Sequence, residues 1–455
     1  VFFNKTLDLL FDIKNRKHKN AFLTALMIML VPAGNFTWLI MTGMEHALQV
    51  MSVSMIIYGT VRYIKKGKIG FLLPAALVVA PLVRYEDMTV VLSVLLFLLL
   101  CREIKTVFVA FGLIVLTLGG FSVFLMTLGL APMPNSILAK SGMFFKLLSV
   151  FSLTSVPAAS VVMSVVSPNN SAIAVENNTL NYFFTKLNNM FFQNIKSFLL
   201  SAGALVIFSY SLLSKGLGVK KKLAVTSLFG IALHLAVGQY GWLNRYGMYI
   251  WIFMIFIVIY LASDVITKAF NDPQNKGKIK SIIAVTVLIF VFTCKNYIAD
   301  ISFIPFVAHN IHAQQYQMHR FVTEVYKAPV AVNDLGYVSY ENDNYVLDLW
   351  GLASSEALYL RKNAEDNRWM EQITEKKGVG LAMIYETWFI EAPEEWEKAA
   401  DLTLDEAPYF AKGNKTVSFY ATDSSAYDDI RKDLIKFKPM MQQEYQHTLK
   451  IYDKQ

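Results

Sequence analysis

Long apolar runs separated by short polar connections fill the first two thirds of the chain. They lie at about 21–40, 47–61, 70–83, 88–100, 107–129, 196–213, 223–239, 247–264 and 281–297. A helix needs roughly 20 apolar residues to cross a bilayer, so the shorter runs must extend into their flanks or tilt. The pattern predicts a polytopic α-helical membrane protein with about nine spans, all within a transmembrane domain at residues 1–297.

The pattern changes after residue 297. Short β-rich segments predict strands at 330–334, at 345–349 and within the sequence GLAMIYE. The stretch 354–374 has a helical pattern, and a long charged amphipathic helix is predicted from about Ala426 to Tyr452. We therefore predict a C-terminal soluble α/β domain at residues 298–455.

Charge sets the predicted orientation. Residues 1–297 carry 26 Lys and Arg against 9 Asp and Glu, whereas residues 298–455 carry 16 against 25. Loops rich in Lys and Arg stay on the cytoplasmic side. The basic clusters at 14–19, 62–68, 102–105, 215–222 and 268–280 all fall there if nine spans cross. We expect a multi-pass protein of the bacterial inner (cytoplasmic) membrane with an extracytoplasmic C-terminal domain, whose basic loops contact membrane lipids and no nucleic acid.

Two features extend this topology. A tenth apolar stretch at 147–166 is rich in Ser and Val and adjoins an Asn-rich loop, so we interpret 147–195 as a re-entrant or interfacial segment with an outer loop. The alternative is a true crossing paired with a second one near 181–194. Residues 1–13 have the pattern of a helix end entering a basic loop, and we expect about eleven spans in the complete protein.

Charged residues at the outer ends of the spans are the first candidates for chemistry, because a charge there is costly without a partner or ligand. They are Glu45, Arg84, Glu86, Asp87, Lys140 and Arg245. The three cations lie on separate loops of one face and suit a phosphate or diphosphate on a lipid. Snorkelling or mutual ion pairing is the alternative interpretation.

Five motifs carry a resemblance to a known family. They are TGMEHAL (42–48), LVRYED (82–87), PMPNSILAK (132–140), GWLNRYGMYI (241–250) and VNDLGYVSYENDNYVLDLWGLAS (332–354). In order and setting they resemble bacterial membrane glycosyltransferases of the C superfamily (GT-C), the group that includes the mycobacterial cell-wall arabinofuranosyltransferases. The resemblance runs through nearly the whole chain, and PMPNSILAK and the last motif are its most specific parts.

The resemblance implies an enzyme that moves a sugar from a polyprenyl-phosphate donor to a glycan, lipid or protein acceptor. It places the main catalytic carboxylate in an outer loop before Val1, which leaves Glu45, Glu86 and Asp87 as supporting carboxylates or, failing that, the base. It assigns Arg84, Arg245 and Tyr246 to the donor phosphate and Asn135 and Lys140 to the donor loop. An aromatic-belt anchor is the alternative for Tyr246, and turn chemistry after Pro134 is the alternative for Asn135.

Metal binding and two other functions are weaker interpretations of the sequence. His309, His312 and His319 match no standard zinc spacing and lie in a segment with the pattern of a solvated amphipathic helix, so we expect no cofactor, and nothing in the sequence supports a divalent cation. A ligase or polymerase that uses a lipid-linked oligosaccharide is the alternative enzyme. A transporter or flippase is a further alternative, although the sequence has neither the internal repeat nor the paired broken spans typical of transporters.

Overall fold

The computed structural model describes residues 1–139, 195–238, 245–272, 274, 276–364, 366–389, 391–405, 415–441 and 447–454. These residues belong to two compact units. The first comprises Val1–Phe121 and Ser171–Ser302, and the second comprises Ser122–Asn170 and Phe303–Gln455. The segment 147–166 and Lys140 lie outside the described residues.

Helices form at each of the nine apolar runs. A short helix at Phe2–Leu10 precedes them. The first run forms two helices, Arg16–Ala33 and Phe36–Met41, and the other runs form one helix each: His46–Lys66, Leu72–Val83, Met88–Leu100, Ile104–Thr127, Ile195–Leu213, Val219–Val237, Met248–Asn271 and Lys276–Ala313. Within the described part of the chain, three are long and apolar enough to cross a membrane: His46–Lys66, Ile104–Thr127 and Met248–Asn271. The protein is therefore mostly helical and compatible with membrane association, and the count of nine crossings stays a prediction.

The first apolar run is broken near its C-terminal end. Pro32 and Gly34 close one helix, and Asn35 takes a left-handed conformation with φ 47° before the next helix begins. Asparagine tolerates this conformation better than most residues. The buried Asn35 side chain donates to Asp300 Oδ2 at 2.6 Å. The predicted span at 21–40 is thus two helices joined by a hydrogen-bonded turn.

The second unit contains a six-stranded mixed sheet. The strands are β1 (Val330–Val332), β2 (Val346–Asp348), β3 (Leu381–Ile384), β4 (Glu397–Leu404), β5 (Thr416–Ala421) and β6 (His447–Ile451). Their order is β2-β1-β3-β5-β4-β6. Strand β1 is parallel to β2 and β3, and the other pairings are antiparallel. The predicted α/β character of this region and its first three strands are confirmed.

Helices cover both faces of the sheet, so β1 is apolar throughout, as buried parallel strands are. Val330 and Val332 pack on one face with Phe321 and Leu434, whereas Ala331 packs on the other with Trp369. The helical elements are Gln315–Arg320, Phe321–Tyr326 (a π-helix), Gly336–Ser339, Ser355–Asn363, Arg368–Lys376 and Tyr427–Phe437.

Three local predictions are wrong. The closing helix ends at Phe437, because Pro439 lacks the N–H that a continuing helix would use, and β6 follows it. The predicted helix at 354–374 is two helices with a break after Asn363. The segment that contains the three histidines was predicted to be a solvated helix, but Gln314, Gln317 and Met318 in it are buried.

Candidate functional site

Arg84 is the centre of a charged cluster in the first unit. It follows the helix Leu72–Val83 in extended conformation, and only 9% of the residue is exposed. Its Nε and Nη2 donate to the two carboxylate oxygens of Glu86 at 3.2 and 2.7 Å, while Nη1 pairs with Glu45. Burial opposes the charge of Arg84, but the hydrogen bond and charge of Glu86 and the charge of Glu45 outweigh it and raise the pKa. This guanidinium is held ionised by two carboxylates.

Glu45 is the more open partner of Arg84. It immediately precedes the helix His46–Lys66, and 42% of its side chain is exposed. Partial burial opposes ionisation of Glu45, whereas its own backbone N–H and the positive charge of Arg84 favour it, and the net effect lowers its pKa. Glu45 is therefore an ionised carboxylate with access to solvent.

Asp87 lies behind the cluster, fully buried. Gln49 Nε2 donates to its Oδ1 at 2.8 Å and Ser52 Oγ donates to its Oδ2 at 3.3 Å. Burial raises the pKa of Asp87 well above its usual range, against these two donors. This enclosed position leaves Asp87 no open side for an acceptor hydroxyl, and its role as a supporting carboxylate stays a prediction.

A polar relay links Asp87 to Arg84. Arg84 Nη1 lies 3.4 Å from His46 Nε2, and His46 Nδ1 lies 3.2 Å from Gln49 Oε1. Because guanidinium only donates, Nε2 of His46 accepts and Nδ1 carries the proton that it gives to Gln49. Each group in the series Arg84, His46, Gln49, Asp87 therefore has one consistent hydrogen-bonding role.

Tyr246 lies between two guanidinium groups. Its ring centroid is 5.6 Å from Arg84 Cζ and 5.2 Å from Arg245 Cζ, and the His46 ring meets it edge-on at 5.6 Å. Among the residues that the structure describes, Arg245 has no carboxylate within salt-bridge distance. Within the part of the chain that the structure describes, its buried Nε has no acceptor, and its terminal nitrogens contact Met44 Sδ and, at 3.5 Å, the Tyr246 hydroxyl.

The structure thus brings five of the predicted residues together: Glu45, Arg84, Glu86, Arg245 and Tyr246. The two arginines differ, since Arg84 is paired with Glu45 and Glu86, whereas Arg245 has no carboxylate partner among the described residues. The mutual ion pairing that the sequence left open is found for Arg84.

Asn135 lies in the second unit. It begins the short helix Asn135–Leu138 directly after Pro134, and its Oδ1 accepts from Ser355 Oγ at 3.1 Å. Lys362 Nζ donates to the carbonyl oxygen of Leu138 at 2.7 Å. The segment PMPNSIL therefore docks on the helix Ser355–Asn363, and the two most specific motifs of the resemblance meet in one unit.

Sequence reasoning missed His46 and Gln49, which connect the cluster. Both carried a signal. His46 stands inside the TGMEHAL motif, and Gln49 is a polar residue one turn further into an otherwise apolar stretch. Polar residues within apolar helical stretches usually point toward other helices or a functional site rather than toward lipid. Among the described residues, no group of three or more His, Cys, Asp or Glu side chains is placed to hold a metal ion.

The comparison with known proteins found a match only for a segment of the second unit. Residues 309–420 match a Domain of unknown function (DUF8728). That segment holds β1 to β4 and β5 as far as Tyr420, and it contains no member of the Arg84 cluster. No curated protein and no solved structure matches the chain.

Proposed function

We propose that this chain acts as an integral membrane glycosyltransferase that moves a sugar from a polyprenyl-phosphate donor to a cell-envelope glycan, lipid or protein acceptor on the extracytoplasmic face. The observation that carries the proposal is the pair of guanidinium groups near the Tyr246 ring, of which Arg245 has no carboxylate partner among the described residues. The resemblance of five ordered motifs to GT-C enzymes supports it, and so do three helices long enough to span a membrane.

The reaction needs two kinds of group. An acceptor hydroxyl forms a bond to the anomeric carbon while the bond from that carbon to the phosphate oxygen breaks, and polyprenyl phosphate leaves. The hydroxyl proton passes to a carboxylate, because a sugar hydroxyl is a poor nucleophile until it is deprotonated. Cationic donors stabilise the negative charge that develops on the departing phosphate.

The first unit offers both kinds of group. Arg245 has unused N–H donors and is assigned to the donor phosphate. Arg84 joins it by exchanging Glu45 for a phosphate oxygen, which releases Glu45 as an ionised carboxylate beside the leaving group. Glu86 keeps Arg84 in position throughout, and Asp87 fixes the polar relay from behind.

Transfer assays test the proposal. The full-length protein is reconstituted in proteoliposomes and supplied with polyprenyl-phosphate sugars or, in parallel, with a polyprenyl-diphosphate oligosaccharide. We expect transfer from the monophosphate donor, and a loss of transfer in Arg84→Gln and Arg245→Gln. Arg16→Gln, which removes an exposed arginine of a basic loop, is the matched control. Transfer from the diphosphate donor alone would favour the ligase or polymerase, and unchanged transfer in both cluster variants would refute the phosphate assignment.

A further inference from the structure

The strand order reverses at β1 in the sheet of the second unit, which makes a topological switch point there. The chain passes from β1 to β2 on one side of β1 and then crosses to β3 on the other side. All three strands are parallel, so their carboxyl ends lie at one edge. In open α/β sheets, ligands bind outside the carboxyl ends of the strands at such a point. The edge beyond β1 and β3 is therefore the place to search for a site.

The residues that follow these strands form a polar and aromatic edge. Asn333, directly after β1, accepts from the backbone N–H of Tyr385, directly after β3, at 3.0 Å. The Trp388 ring stacks near that of Tyr385 at 5.8 Å and meets Trp350, which follows β2, at 5.0 Å. The ends of all three parallel strands thus contribute to one continuous surface.

Arg361 completes this edge. Its Cζ lies 3.7 Å from the centroid of the Trp350 ring. Among the described residues, its guanidinium donates no hydrogen bond and has no carboxylate within salt-bridge distance, and its Nε is buried without an acceptor. Burial lowers the pKa of Arg361. A guanidinium has five N–H donors in a planar fork, so this one is half-buried with its hydrogen-bonding capacity unused.

The carboxylate of Asp348 already accepts three backbone hydrogen bonds. Its negative charge raises the pKa of Arg361 but does not outweigh the effect of burial. Its Oδ1 accepts from the backbone N–H groups of Trp350 and Gly351 at 2.8 and 3.1 Å, and its Oδ2 accepts from that of Ala353 at 2.8 Å. The neighbouring Lys362 uses its Nζ on a carbonyl oxygen, and no described carboxylate pairs with it. Among the described residues, these two adjacent cations on the helix Ser355–Asn363 therefore have no carboxylate within salt-bridge distance.

Stacking on Trp350 explains where Arg361 lies but not why its Nε is shielded from water without an acceptor. A buried donor without a partner costs about 1–3 kcal/mol, and more when it is charged. An oxyanion is the ligand that matches a planar fork. We propose that the carboxyl edge of β1, β2 and β3 is a phosphate-binding site in which Arg361 holds the phosphate group of a ligand whose apolar or ring portion lies against Trp350 and Trp388. The site lies wholly within the DUF8728 match and rests on the second unit alone.

Titration calorimetry of the full chain in detergent tests this site. The probes are inorganic phosphate and glycerol 3-phosphate, and cosedimentation with phosphatidylglycerol vesicles tests a lipid source of the same phosphate group. The binding measurements use an Arg245→Gln background, which weakens the phosphate site proposed for the first unit. We expect Arg361→Gln to weaken binding at least tenfold and Arg361→Lys to weaken it less. Arg368→Gln, an exposed arginine on the next helix paired with Asp366, should change it less than twofold.

A chemical readout keeps the test independent of variant folding. Phenylglyoxal modifies accessible guanidinium groups, and peptide mass spectrometry locates the modified arginine. We expect phosphate or the vesicles to protect Arg361 in the unaltered protein while Arg368 stays reactive. Protection by vesicles alone would identify a lipid headgroup as the source. Absence of binding to every probe, or equal modification of Arg361 with and without them, would overturn the proposal.

Discussion

The buried carboxyl of Asp87 gives the sharpest stability prediction. It accepts hydrogen bonds from Gln49 Nε2 at 2.8 Å and Ser52 Oγ at 3.3 Å and is fully buried. Asp87→Asn can keep both contacts, because its Oδ1 accepts from Gln49 and its Nδ2 donates to Ser52, whose own proton goes to the carbonyl oxygen of Gln49. Asp87→Ala loses both contacts and leaves the Gln49 donor buried without a partner.

The magnitudes follow from these contacts. A net hydrogen bond contributes about 0.5–1.5 kcal/mol, and a buried unsatisfied donor costs about 1–3 kcal/mol. At pH 4, where burial keeps the folded carboxyl protonated, we expect Asp87→Ala to reduce the free energy of unfolding by about 2–4 kcal/mol and Asp87→Asn to stay within about 1 kcal/mol of the parent.

The raised pKa of Asp87 adds a pH dependence. As pH rises above the ordinary aspartate pKa of about 3.9, the unfolded state loses its proton first, so the native state binds more protons and its stability falls until the folded pKa is reached. Asp87→Asn removes this contribution, so its advantage over the parent should grow with pH across that window. The effect is measured as the difference in unfolding free energy between Asp87→Asn and the parent at each pH, because other carboxyl groups titrate in the same range.

Thermal unfolding in detergent from pH 4 to pH 8, followed by intrinsic fluorescence, measures both effects. Because the chain has two compact units, hydrogen exchange in the peptide that contains Asp87 assigns the transition. If Asp87→Asn is as destabilised as Asp87→Ala at neutral pH, the carboxyl is needed in its ionised form and the burial argument is wrong.

Three further predictions concern the second unit and are measured by local hydrogen exchange in the full chain. Gly351→Ala should cost about 2 kcal/mol or more, since φ is +87° and a Cβ would lie 2.6 Å from Leu358 backbone atoms; exchange like that of the parent would contradict this. Tyr385→Phe should cost about 1–3 kcal/mol, because the hydroxyl accepts from Gln315 Nε2 at 2.7 Å within a buried network. Ser354→Ala should cost about 1 kcal/mol through loss of the N-cap of its helix, whereas Ser354→Asp should restore most of it.

The sequence predicted the helices well because a helix in lipid requires little more than a sufficiently long apolar run. It also predicted β1, β2 and β3; β1 and β3 are buried and apolar throughout, whereas β2 ends in Asp348. Strands β4, β5 and β6 were not predicted, and β6 (His447–Ile451) lies within the stretch predicted to be an amphipathic helix. Pro439 was the local signal that the last helix could not continue to Tyr452.

The candidate site was predictable as a set of charges but not as a set of contacts. Glu45 and Arg84 are 39 residues apart, and only the packing of two helices decides that they pair. Arg245 is also an arginine on the same predicted face, yet no carboxylate of the described residues lies within salt-bridge distance of it. Local sequence has no information on this difference. Arg361 shows the same limit, since its position over Trp350 depends on the crossover between β2 and β3.

Donor kinetics of the Arg245→Gln variant test the central claim most directly. With the full-length protein in proteoliposomes and a polyprenyl-phosphate sugar as the varied substrate, we expect kcat/KM to fall about 10²–10³-fold, as expected for loss of a donor that stabilises the leaving group. The Arg16→Gln control should retain the parent value. Equal kcat/KM in the two variants, or no transfer from any polyprenyl-phosphate sugar by the parent protein, would contradict the account.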